Sequence, residues 1–132
     1  MTDPTTGGHA EQNKSLVSYL YAKVYNGKHM SALNDLFAAD YVEHNPDLEN
    51  GRVALHGFLN KTFGLFPEIG FTLTRLVAEG DMVVAHALMR RTPGDRGMAV
   101  AEFFRISGDK IVEHWDITMP VPEETQNGNP MV

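Results

Sequence analysis

The chain has no cysteine among its 132 residues. That excludes a disulfide framework, a thiolate zinc site and a cysteine nucleophile. Basic residues are also few. Eleven Lys and Arg stand against seventeen Asp and Glu, for a net charge of −6. They are scattered rather than clustered, so no phosphate-tracking surface is expected and nucleic acid is not a partner. No apolar run approaches the length of a membrane span, so no membrane contact is expected. The opening "MTDPTTGGHAEQNK" has no apolar signal-peptide core. Cytoplasm is the default compartment. Glycine-rich phosphate loops, nucleophile elbows and serine triads are missing too.

What is present suits one globular domain. Apolar residues make up 42% of the chain, enough for a core. Residues 1–9 read as a flexible N-terminus, and 10–118 as the single folded domain. The end, 119–132, is rich in Pro, Asn and Gly and reads as an extended tail.

The first half has helical periodicity. Over 10–26, Leu16, Leu20 and Val24 form one face, with Asn26-Gly27 as the stop. A short helix fits 31–39, capped by Ser31. A third fits 52–66, with Asn50 as cap and Pro67 as terminator. The second half alternates like strands over 71–78, 82–91, 98–106 and 110–118, separated by turn signals. Short turns join antiparallel neighbours. The expected class is therefore α+β, with three N-terminal helices on one face of a curved antiparallel sheet.

Ionisable residues interrupt the strands. Asp116 and His114 leave one face of "KIVEHWDITMP" and Glu113 and Trp115 the other. Asp116 among Ile, Val and Trp reads as an acid/base in an apolar pocket, where desolvation raises a carboxylate's pKa. The plain alternative is a strand-end aspartate paired with Arg105. His114 orients Asp116, or forms a surface ion pair with it. His86 interrupts the apolar run "MVVAHALM", as a cavity group or as a satisfied core histidine. Glu102 in "MAVAEFFRI" depends on hairpin register. A two-residue Gly108-Asp109 loop sets it opposite Trp115, and a three-residue loop with a bulge sets it opposite Asp116. His44-Asn45-Pro46 follows the second helix, and Pro46 holds Asn45 extended. Tyr41 and Trp115 offer polar tips on apolar bodies, suited to a pocket wall. No spacing brings His44, His86, His114 and Asp116 to metal-ligand distance, so no metal is expected.

"LFAADYVEHNPDLENGRVALHGF", "LVAEGDMVVAHALM" and "EFFRISGDKIVEHWDI" resemble the SnoaL-like polyketide cyclase group of the nuclear transport factor two-like superfamily. The most specific pieces are Tyr41…His44-Asn45-Pro46 and Glu113-His114-Trp115-Asp116. The resemblance covers roughly residues 10–120. It implies a cone-shaped α+β barrel with a ligand cavity between helices and sheet, usually dimeric. It also implies that Asp116 matches the acid/base aspartate of the closing strand. A histidine opposes that aspartate in SnoaL-like cyclases, and Glu102 would take its slot here.

The expected function is a cofactor-independent enzyme acting on a small, hydrophobic carbonyl compound. Asp116 moves a proton, while His86, His44 or Tyr41 stabilises the enolate oxygen. Asn45, Glu102, His114 and Trp115 complete the pocket. Aldol-type cyclisation, isomerisation and dehydration all fit. The alternative is a non-catalytic ligand-binding or protein-interaction module of the same fold. Two-sided apolar strands predict a homodimer through the sheet.

Overall fold

The computed structural model describes residues 4–132. Helix α1 spans Pro4–Tyr19 and continues in wider π-helical turns over Leu20–Asn26. It starts six residues before the expected position, within the segment expected to be flexible. Proline suits a first helical position because its φ is already set and its missing N–H is not needed there. Met1, Thr2 and Asp3 lie outside the described residues. The stop comes where expected. A Cβ on Gly27 would lie 2.7 Å from the Lys23 carbonyl oxygen.

After a tight turn at Met30–Ala32, α2 covers only Leu33–Leu36. The expected helix over 31–39 ends early because Phe37–Glu43 forms strand β1. Leu33, Leu36 and Phe37 are all inward, which imitates helical spacing across the junction. Helix α3 spans Arg52–Leu65. Asn50 does not cap it. Its side-chain oxygen accepts from the Glu43 backbone N–H at 2.9 Å, fastening the loop to β1 instead.

Strands β2 (Gly70–Glu79), β3 (Met82–Arg90), β4 (Met98–Ser107) and β5 (Lys110–Pro120) form the expected antiparallel meander. The sheet is nevertheless mixed. Its order is β1-β5-β4-β3-β2, with β1 parallel to β5 at the edge. Three helices on an unclosed, five-stranded sheet give an α+β, cone-like fold. Val17, Leu20, Val24, Phe37, Phe104 and Ile111 are buried between the layers. Each contributes roughly 2 kcal/mol by leaving water. Ala85 and Ala87 are fully buried on the inner face of β3, and side chains this small leave room beneath the helices.

Both expected registers of the last hairpin are corrected. The loop is the two-residue one, pairing Ser107 with Lys110. A bulge then follows, because Ile106 faces Ile111 while Arg105 faces Glu113. Val112 is the extra residue. The combination sets Glu102 opposite Asp116.

β5 runs two residues past its expected end, with Met119 opposite Ala99 and Pro120 opposite Met98. β1 accompanies β5 only to His114, so Pro120 lies where β5 has a free edge and needs no donor there. The remainder, from Val121, has no regular structure. Met131 comes back against the outer face of the sheet beside His86 and Ile117.

Candidate active site

The site lies where β1, β5 and β4 pass under the π-helical turns. The bulge at Val112 keeps Ile111, His114 and Asp116 on the inner side of β5, and Glu113, Trp115 and Ile117 outward. Tyr21 and Tyr25 are four residues apart on one helical face, directed at the sheet. Pairing in the middle of the sheet places Glu102 between them and β5.

These residues form one buried polar array. His114 Nδ1 donates to Glu43 Oε2 at 2.8 Å, and Nε2 donates to Glu102 Oε2 at 2.7 Å. Tyr25 OH donates to Glu102 Oε2 at 3.1 Å, and Tyr21 OH to Oε1. Glu43 accepts the Tyr41 hydroxyl at 2.9 Å. Its Oε2 also accepts the backbone N–H groups of His44 at 3.1 Å and Asn45 at 3.0 Å. No buried side-chain polar atom lacks a partner among the described residues. An array of this kind is stable only when fully satisfied.

Charge follows from these bonds. Burial favours neutral His114, but its hydrogen bonds to Glu102 and Glu43 outweigh it and raise the imidazole to about 10. His114 is therefore an imidazolium at neutral pH. Burial also opposes ionisation of Glu43, yet the His114 bond and charge hold it below the ordinary carboxylate range. Burial, then the Glu102 carboxylate, drives the Tyr21 and Tyr25 phenols far above their usual range, so they act only as donors to it. Burial, then the Glu43 carboxylate, raises Tyr41 likewise.

Asp116 closes the array on the cavity side. Asn45 Nδ2 donates to its Oδ1 at 2.9 Å. Its pKa is raised. Burial is the largest cause, and the Glu102 and Glu43 charges add to it against the opposing His114 charge and Asn45 bond. Glu43, Asn45, Glu102, His114 and Asp116 share the wall of a cavity of about 340 Å³. That volume suits a small organic ligand. Phe58, Leu59 and Phe63 of α3 and Met89, Met98 and Val100 of the sheet make the apolar remainder.

The structure brings five of the expected site residues together: Asp116, Glu102, His114, Asn45 and Tyr41, with Tyr41 one step behind the wall. Three others lie elsewhere. His44 is not at the cavity. Its ring stacks on Trp115 on the outer face (centroids 4.6 Å apart, planes 2° apart), and its Nε2 lies 2.7 Å from Glu113 Oε2. His44 and Asn45 diverge because successive extended residues point to opposite sides. Trp115 is outward by the same parity. His86 is outward as well, with Nδ1 2.7 Å from Arg75 Nη1. Its neighbours Ala85 and Ala87 take the inner side of β3. Arg105, weighed as a partner for Asp116, instead pairs with Glu113 on the outer face, at 3.1 Å.

Tyr21, Tyr25 and Glu43 were not legible as site residues. The tyrosines sit in a helical apolar stripe, where they read as core. Glu43 is found only once β1 is known to be a strand.

A ligand atom each from Glu102, His114 and Asp116 lies within 4.8 Å of the others. The spacing alone would suit a metal ion. The donor set does not fit one, because both His114 nitrogens are committed as N–H donors and the ring holds its proton to about pH 10.

The SnoaL-like domain family matches residues 17–114. No curated protein matches the chain in sequence. Among solved structures, a loop-truncation variant of IdmH is 26% identical, with a TM-score of 0.68, covering 80% of this chain and 91% of that one. Wild-type IdmH, a candidate polyketide cyclase from Streptomyces antibioticus, is 23% identical (TM-score 0.68, 81% and 91% covered). A candidate ketosteroid isomerase from Kribbella flavida is 20% identical (TM-score 0.73, 93% and 91% covered).

Proposed function

The chain belongs to the SnoaL-like domain family, and on that premise we propose that it is an acid/base enzyme. It moves a proton at the carbon beside a carbonyl of a small hydrophobic substrate, with Asp116 as the proton carrier. One observation carries this reading: a carboxyl group with a raised pKa lines an apolar cavity, directly opposite a second carboxylate. A base poised nearer neutrality both accepts and returns a proton efficiently.

In the step itself, the Asp116 carboxylate takes the proton as the C–H bond breaks. The electron pair moves onto the carbonyl oxygen, giving an enolate. Asp116 becomes neutral as the enolate becomes charged, so the total charge beside Glu102 and His114 is unchanged. Asn45 keeps a second amide N–H beyond the one bound to Asp116, and that donor takes the role first sought in His44, His86 and Tyr41. Returning the proton to another carbon completes an isomerisation. Attack of the enolate on a second carbonyl closes a ring, the new alkoxide taking the proton back from Asp116. In a dehydration that proton goes to the β-hydroxyl, which leaves as water while the enolate pair forms the C=C bond. The similar solved structures named a candidate polyketide cyclase and a candidate ketosteroid isomerase carry names for chemistry of this kind, which supports the reading.

Deuterium wash-in tests the reading. Cyclic ketones and β-diketones such as 2-tetralone, followed by NMR in D₂O, should gain deuterium beside the carbonyl faster with the protein than in buffer. Binding without exchange would favour a ligand-binding module instead.

A further inference from the structure

The cavity has electrically distinct ends. Its inner end carries Glu43, Glu102 and Asp116 around one imidazolium. Its exposed rim carries Arg91, just beyond the end of β3. Ala85 of β3 is level with Glu102 and Asp116 across the sheet. Arg91 is six residues further on, so its backbone lies roughly 20 Å from that row at about 3.3 Å per residue. The two groups therefore mark opposite ends of one apolar space.

Arg91 differs from the other cations near the helices. Lys28 Nζ donates to the Ile69 carbonyl at 3.0 Å, and Arg52 Nη1 donates to the Phe37 carbonyl at 3.0 Å. Among the described residues, the Arg91 guanidinium makes no ion pair and no hydrogen bond. Asp47, also on the rim, does not pair with it, and Asp95, which feels the Arg91 charge, takes from Arg91 only a backbone N–H bond, at 3.2 Å. The guanidinium rests over the Phe66 ring, 5.1 Å from its centroid, which holds it at the rim by cation–π attraction.

We propose that Arg91 is a specificity residue, and that the cavity takes an elongated apolar carbonyl compound bearing a carboxylate. The carboxylate binds Arg91, and the carbonyl end reaches Asp116. The carbonyl end rests on the proposed function; the acid end does not. Three carboxyl groups repel an anion from the inner end, while a guanidinium at the rim offers it a fork of donors. Charge thus sets which way round the substrate enters.

Calorimetric binding of 6-acetyl-2-naphthoate and its neutral amide, 6-acetyl-2-naphthamide, tests this. The native protein should bind the acid about tenfold more tightly than the amide. Arg91→Gln should remove that preference without changing amide affinity, and Arg90→Gln should keep it. Asp116→Asn should also keep it, so this result stands apart from whether Asp116 transfers protons. Equal affinity for the two probes, a preference that survives Arg91→Gln, or failure of both to bind would overturn the proposal. Unchanged melting temperatures show that the exposed substitutions leave the fold intact.

Discussion

Glu102 and Asp116 face each other across β4 and β5, and the bulge at Val112 is what sets them so. Without it, Glu102 would meet Trp115, and the acid pair would be split between the two faces of the sheet. Two carboxyl groups this close cannot both ionise freely. Burial is the largest cause of the raised Asp116 pKa, and the facing Glu102 charge adds to it.

Removing the Glu102 charge should therefore lower the Asp116 pKa. Titration of carbon-13 labelled aspartate side chains should show one Asp above the ordinary value of about 3.9. Glu102→Gln should bring that resonance back towards it. An unmoved resonance would mean that Glu102 does not tune Asp116.

His114 makes stability depend on pH. Its folded pKa, about 10, is above the ordinary histidine value of 6.5. The stabilisation is fully present below 6.5 and is lost as pH rises through about 10. Urea unfolding should show stability falling over that window in the native protein, with a flatter profile for His114→Gln. The substitution should also cost about 3 kcal/mol at neutral pH, because it leaves two buried carboxylates without their cation.

Glu43 connects the array to the loop that carries Asn45. Glu43→Ala should destabilise the protein by about 3 kcal/mol, and Asn45→Ala by only about 1 kcal/mol. Denaturant melts of the two variants give this ranking directly. Equal costs would show that Glu43 is not the hub.

We also propose that a second copy covers the outer face of the sheet. Val77, Ile117 and Met119 are 61%, 70% and 56% exposed there, beside Trp115 and Phe103. A contiguous apolar patch of this kind marks an interface. Light scattering should show a dimer at micromolar concentration, and Ile117→Asp should give a monomer. A native monomer would remove the proposal.

The meander and helices α1 and α3 were legible because their periodicity and turn residues agree. β1 was not. Leu33, Leu36 and Phe37 keep helical spacing across a helix–strand junction, and a parallel edge pairing leaves no turn signal. Asp116, His114 and Glu102 could be read as charges interrupting apolar strands. Their common face depended on one bulged residue that composition does not mark. His86 gave the same signal and lies on the outer face, since a lone histidine in an apolar strand does not reveal its side; His44 was read from the segment before Pro46, which does not reveal its side either. Tyr21 and Tyr25 were hidden by looking like core, which they also are.

The most direct measurement of the central claim is deuterium exchange into a bound carbonyl compound by Asp116→Asn. The amide keeps the shape of the carboxyl group and lacks its basicity. The account predicts unchanged ligand affinity and an exchange rate reduced at least a hundredfold, to the order of magnitude expected for loss of a general base. Native-like exchange by the variant would contradict it.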